Sequence, residues 1–343
     1  MKSKLLPVFF LSLSLAAFAP VRGADFVVYE GKTGPGHGKH VVFVSGDEEY
    51  RSEEGLPQLA RILADRHGFK CTVCFSIDKN GDIDPNTTNN ESGLEALDSA
   101  DACVILTRFR NWPDEQMKHF VDYYLAGKPF VGLRTATHAF NYPAQATYGK
   151  YGWTSKAWPG GFGRQVLGET WINHWGNHMH QATRGIVEPS AKDDPILRGV
   201  TDVFGTTDVY EAEPQPDAKI LLRGQVLTGL NPTDPPATGM KKRKDGQTQD
   251  LNDPMMPIAW TREPQNEAGK TNKVLCTTMG AATDLTNEGL RRLIVNGVYW
   301  GCGLEIPAAA NVNLVGDYQP SKYAANGGKK GVKPDSLAAP AGQ

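Results

Sequence analysis

The segment KHVVFVSG, residues 39–46, limits the fold more than any other part of the chain. It is an uninterrupted apolar run ended by a glycine, so it has no polar face and describes a strand covered on both sides. SEEGLPQLARILADRHG follows with a helical pattern. Ser52 serves as N-cap, Glu53 and Glu54 suit the positive helix end, and Leu56, Leu59, Ala60 and Leu63 form one stripe that Gly68 closes. KCTVCFS and ADACVILT (100–107) read as further strands. Pro113 starts a helix ending at Gly127, and KPFVGLR (128–134) is a fourth strand. AKILLRG, MPIAWTR and NKVLCTTMG come next, then a helix with Leu290, Leu293, Ile294 and Val298 on one side. Strands alternating with helices predict an α/β fold with an open, mostly parallel sheet flanked by helices.

Lys2 and Lys4 precede an apolar run from Leu5 to Ala19 and small residues at Gly23 and Ala24. This is the pattern of a secretory signal peptide over residues 1–24, too short for a membrane span. The expected product is exported, periplasmic or extracellular, and free of the membrane after cleavage. A formal net charge of −2 over 343 residues gives no reason to expect nucleic acid. The basic run KKRK at 241–244 reads as a solvated loop. Cys71 and Cys74 lie three apart in a strand and so face opposite ways, as buried thiols rather than a bridge or chelate.

Residues 25–38 read as an N-terminal extension and 39–305 as one domain. That domain carries two long excursions, 135–200 and 228–256. The first holds Trp153, Trp158, Trp171 and Trp175 with three clustered histidines, and reads as functional. The second reads as a mobile flap or surface decoration. Residues 306–343 are rich in Gly, Ala, Lys and Pro and are expected to be a disordered tail.

In an open α/β sheet, ligands collect beyond the carboxyl ends of the strands. The first strand delivers Asp47, Glu48, Glu49 and Tyr50 there, the fourth Arg134, Thr135, Thr137 and His138, and the last Asp284. Asp47, Glu48, Arg134 and His138 are the candidate catalytic groups, and the imidazole of His138 suits proton transfer. Tyr50, Thr137, Trp171, Trp175, Asp208 and Tyr210 are candidate substrate contacts, since flat aromatic faces stack on the C–H faces of sugars.

The turn Gly132-Leu133-Arg134 resembles the nucleophile elbow of class I glutamine amidotransferases, with arginine where cysteine would stand. That chemistry therefore lacks its nucleophile. The combination of HVVFVSG, PFVGLRTATHAF, DDPILRGV, TDVYE and KVLCTTMGAATDLTNEGLRRLIVNGVYWG, over roughly residues 39–305, is similar to the ThuA-like (trehalose utilisation) family. The resemblance implies a flavodoxin-like, class I glutamine amidotransferase-like fold without the cysteine. It also implies a role in carbohydrate metabolism, with a disaccharide, glycoside or 3-keto sugar as substrate.

HWGNHMH, residues 174–180, reads in three ways: a metal site using His174, His178 and His180, an acid/base site without metal, or a structural loop. No nucleotide-cofactor motif is present, and a divalent transition metal is the one cofactor the sequence suggests. The expected function is sugar processing by acid/base chemistry, metal-assisted or not. The alternative is a non-catalytic sugar- or partner-binding module, and an oligomer is compatible with either.

Overall fold

A computed structural model describes residues 25–338. The expected signal peptide lies outside the described residues. The sheet strands are β1 (Phe26–Glu30), β2 (His40–Gly46), β3 (Lys70–Ser76), β4 (Ala102–Thr107), β5 (Phe130–Leu133), β6 (Thr183–Val187), β7 (Phe204–Gly205), β8 (Lys219–Val226), β9 (Met256–Arg262) and β10 (Val274–Thr277). They lie in the order β1-β3-β2-β4-β5-β10-β9-β8-β6-β7, with the short segment Glu91–Ser92 added beside β3. The five strands β3, β2, β4, β5 and β10 are mutually parallel, whereas β1, β9, β8, β6 and β7 pair antiparallel at the two sides. Counted from β2, the parallel core has the order 2-1-3-4-5 of the flavodoxin-like fold. The fold class expected from the sequence is the one observed. AKILLRG and MPIAWTR form the antiparallel extension of that sheet.

Alternation along the central strands sends side chains to two cores. Val41 and Phe43 meet α1 (Ser52–His67) and α3 (Glu288–Gly301) on one face; Val42 and Val44 meet α2 (Asp114–Leu125) on the other. Cys71 and Cys74 separate in the same way and are free thiols. In α3 the Asn287 side chain caps the Leu290 N–H, and Leu290, Leu293, Ile294 and Val298 are all buried. Each such side chain contributes roughly 1.5–3 kcal/mol relative to leaving it exposed. Gly68 ends α1 in the left-handed conformation, as expected, but Ser52 does not cap it. Arg51 occupies that position with φ 59°, and the Ser52 hydroxyl accepts instead from the Asp47 N–H. No helix among the described residues is long and apolar enough to cross a membrane.

Two expectations need correction. The 228–256 excursion is docked: residues 240–242 pair with 248–250, and the Lys241 ammonium donates to the carbonyls of His174 and Trp175. The basic run therefore clamps a site loop. The tail, up to residue 338, is an ordered strap. It buries Val312 and Tyr323, and its carbonyls at Val332, Ala324 and Leu337 accept from the Ile83 N–H, Arg51 and the Tyr29 hydroxyl. Gly-rich composition here marks close approach, because a Cβ at Gly327 would lie 2.2 Å from Arg51 Nη2.

Candidate active site

The order of the parallel core reverses between β2 and β4, so their carboxyl ends diverge into a crevice. β2 delivers Glu49 and Tyr50, β4 delivers Arg108 and Phe109, and β5 leads into a tight turn over residues 134–138. Arg134 opens that turn with φ 41°. The sharp turn expected after this strand is thus present, with the cation Arg134 at its start. Residues 171–178 fold over the crevice, held by Lys241 and by pairing of Asn173–His174 with Tyr210–Glu211. The result is a pocket of about 280 Å³ lined by Glu49, Arg108, His138, Trp171, His174 and Tyr210, among others.

Asp208 organises the charges. One carboxylate oxygen accepts from Arg134 Nη2 at 2.8 Å and His178 Nδ1 at 3.1 Å; the other accepts from His174 Nδ1 at 2.8 Å. Burial alone would raise this carboxyl, but Arg134 and the two histidines outweigh it and hold Asp208 well below the usual range. Arg134 is wholly buried and also donates to the carbonyls of Asp208 and Thr278, with its guanidinium 3.7 Å from the Tyr210 ring centroid. His178 Nε2 lies 2.9 Å from Glu49, whose other oxygen accepts from Arg108. Hydrogen bonds to Asp208 and Glu49 overcome burial and push His178 up to about 9, so it is an imidazolium at neutral pH.

His138 has the opposite surroundings. Burial, then the charges of Arg108, Arg134 and His174, hold it well below the ordinary histidine value, so the ring is neutral. The Thr137 hydroxyl donates to the Arg134 carbonyl at 3.3 Å and lies 3.0 Å from His138 Nδ1. That network puts the ring proton on Nδ1 and the lone pair on Nε2. Trp171 stands beside both pocket imidazoles, with centroids 5.8 Å from His138 and 5.0 Å from His174.

Several site residues expected from the sequence fall elsewhere. Asp47 is fully buried and ties down its own turn, accepting from the N–H groups of Glu49 and Tyr50 and from the Thr135 hydroxyl. Glu48 turns away to Arg108 and Arg110, which leaves Glu49 as the carboxylate facing the pocket. Arg134 lies beneath the pocket and pairs with Asp208 rather than with Asp47 or Glu48. Thr137 orients His138 from a buried position. Trp175 belongs to the core, its indole N–H donating to the Leu251 carbonyl, so it is no substrate contact. Asp284 is buried and accepts from Thr207 and the Gly280 N–H. His138, Tyr50, Trp171, Tyr210 and His174 do line the pocket, and Asp208 supports it from behind.

The third strand's exit also supplies pocket residues, Arg108 and Phe109. The signal for them was available: TRFRN follows β4, and the reversal of strand order falls beside it. Tyr323 carries no such signal, since nothing in a Gly- and Lys-rich tail marks it. Its ring packs 5.3 Å from Tyr50 and 6.0 Å from His178.

His180 is exposed and takes no part in the cluster. The donors that do come together are His174, His178 and Asp208. They do not suit a divalent cation: Arg134 holds one of the Asp208 oxygens, and both nitrogens of His178 are committed to carboxylates. The set is a closed ion-pair network.

Fold and site define a flavodoxin-like α/β protein with an imidazole–carboxylate pocket at its switch point. The trehalose utilisation (ThuA) family model matches residues 40–301, and the chain belongs to that family. The family supports a carbohydrate-related role. A ThuA-like protein from Parabacteroides merdae is similar in structure, with TM-score 0.50 and 14% identity, covering 84% of this chain and 95% of the other. A ThuA-like protein from Bacteroides uniformis gives TM-score 0.44 and 15% identity, with 79% and 93% covered. Comparison with curated proteins finds no match.

Proposed function

We propose that the chain is an exported enzyme that processes a sugar by proton transfer at this pocket. The observation that supports the reading best is the His174–Asp208 pair. The carboxylate engages Nδ1 and so leaves Nε2 of a pocket-lining imidazole to exchange a proton with a substrate. His138, kept neutral next to it, is a second base or hydrogen-bond acceptor. Such a pair can remove a proton from a sugar hydroxyl, or from a carbon next to a carbonyl in a 3-keto sugar. Arg108, whose guanidinium lines the same pocket, then stabilises the negative oxygen. Asp208 and Arg134 act as positioning residues. The pocket is small and open to solvent, so it engages one sugar ring at most, with any second ring outside.

The test is turnover of trehalose, other disaccharides and their 3-keto derivatives, followed by NMR, with binding measured separately. The wild type is expected to turn over one of these, and His174→Ala to lose at least about 100-fold in kcat with little change in binding. Equal turnover by wild type and His174→Ala would remove the proposal. Binding without turnover by the wild type would instead favour the non-catalytic sugar-binding reading.

A further inference from the structure

A second cavity, of about 760 Å³, lies between α1 and the C-terminal strap, away from the pocket just described. Glu53, Glu54 and Arg61 of α1 face it, with Ile83 at one side and Tyr318 and Val332 of the strap above. Buried hydrogen-bonding atoms without a protein partner gather here: both carboxyl oxygens of Glu53, Oε1 of Glu54 and Nε of Arg61. Such atoms are rare in folded proteins and mark places that a polar guest completes. Glu53 is only 8% exposed, and its carboxyl finds no hydrogen-bond partner beyond its own backbone.

We propose that this cavity is a binding site for a small uncharged polyol. The charged groups around it balance: Glu54 and Asp317 against Arg61 and Lys329, which leaves no excess to attract an ion. Burial pushes the Glu53 carboxyl up to about 8, so at neutral pH it offers one O–H donor and one carbonyl acceptor. Glu54 adds an acceptor and Arg61 a donor. Apolar walls from Pro57, Ile83 and Val332 complete the lining. Mixed donors and acceptors over apolar walls recognise hydroxyls together with C–H faces. A guest here touches both α1 and the strap, so its binding holds down the segment that carries Tyr323 to the front pocket.

The experiment uses the mature full chain, with glucose, trehalose and sorbitol as probes in titration calorimetry and hydrogen-exchange mass spectrometry. At least one probe is expected to bind in a way that weakens at least tenfold in Glu53→Leu and Val332→Trp and persists in Glu53→Gln. Bound probe is expected to slow amide exchange across residues 306–338. The proposal is overturned if no probe binds, or if every binding event survives both Glu53→Leu and Val332→Trp. Either result leaves the front-pocket reading intact, because that reading is tested by turnover in His174→Ala.

Discussion

Raising the pH from about 6 to about 10 should remove a definite amount of stability through His178. Its ordinary value of 6.5 is pushed up to about 9 by the hydrogen bonds to Asp208 and Glu49, against the effect of burial. A group whose folded value lies above its unfolded one contributes stability that is fully present below the unfolded value. That contribution is lost as pH rises through the folded value, here between 6.5 and about 9. At about 1.36 kcal/mol per pH unit the interval corresponds to roughly 3 kcal/mol. The side chain is 26% exposed, and water screens partly exposed pairs, so about 1–2 kcal/mol is expected. In a chain of this length, at roughly 1.5 °C per kcal/mol, that is a melting shift of about 2–3 °C. The assay is calorimetry of wild type and His178→Gln across this range. Glu53 and Glu91, both pushed up to about 8 by burial, also cost stability as pH rises. They do so equally in the two proteins, so the difference between the curves isolates His178. The gap should be widest near pH 6 and close by about pH 10. Parallel curves would refute the claim that this ring is an imidazolium between two carboxylates.

Asp208→Asn leaves the wholly buried Arg134 without its counter-charge and should destabilise the protein by about 3–5 kcal/mol in denaturant unfolding. A loss under about 1 kcal/mol would show that the pair is not the keystone described here. Elemental analysis of protein purified without chelators should find no stoichiometric transition metal. One equivalent that disappears in His174→Ala would overturn the reading of a closed ion-pair network.

The strands were legible because their signal is local. HVVFVSG, KCTVCFS and ACVILT are apolar on both faces, and nothing but a buried strand tolerates that. The helix ends were legible where a single residue decides them, as at Gly68 and Asn287. Beyond the strand ends the signal weakens, because orientation depends on the turn rather than on alternation. Asp47, Glu48 and Glu49 are indistinguishable as residue types. Only the folding back of Asp47 onto its own backbone, and the presence of two arginines from β4, decide that Glu49 faces the pocket. Trp171 and Trp175 likewise share a loop, yet one lines the pocket and the other fills the core. The strap shows the limit of composition. Its few apolar side chains are enough to order it because the body presents matching hydrogen-bond donors at Arg51, Ile83 and Tyr29.

The contacts that join the pocket's separate elements span long stretches of chain. Arg108 meets Glu49 from 59 residues away, Asp208 meets Arg134 from 74, and the strap reaches Arg51 across 273. No short fragment contains the constellation, and no autonomous subunit of the fold could assemble it early. Closing such large loops costs chain entropy that the packing of the whole sheet repays. The pocket therefore exists only where distant parts of the chain are in place together, and a loop lifted from the body would not retain it.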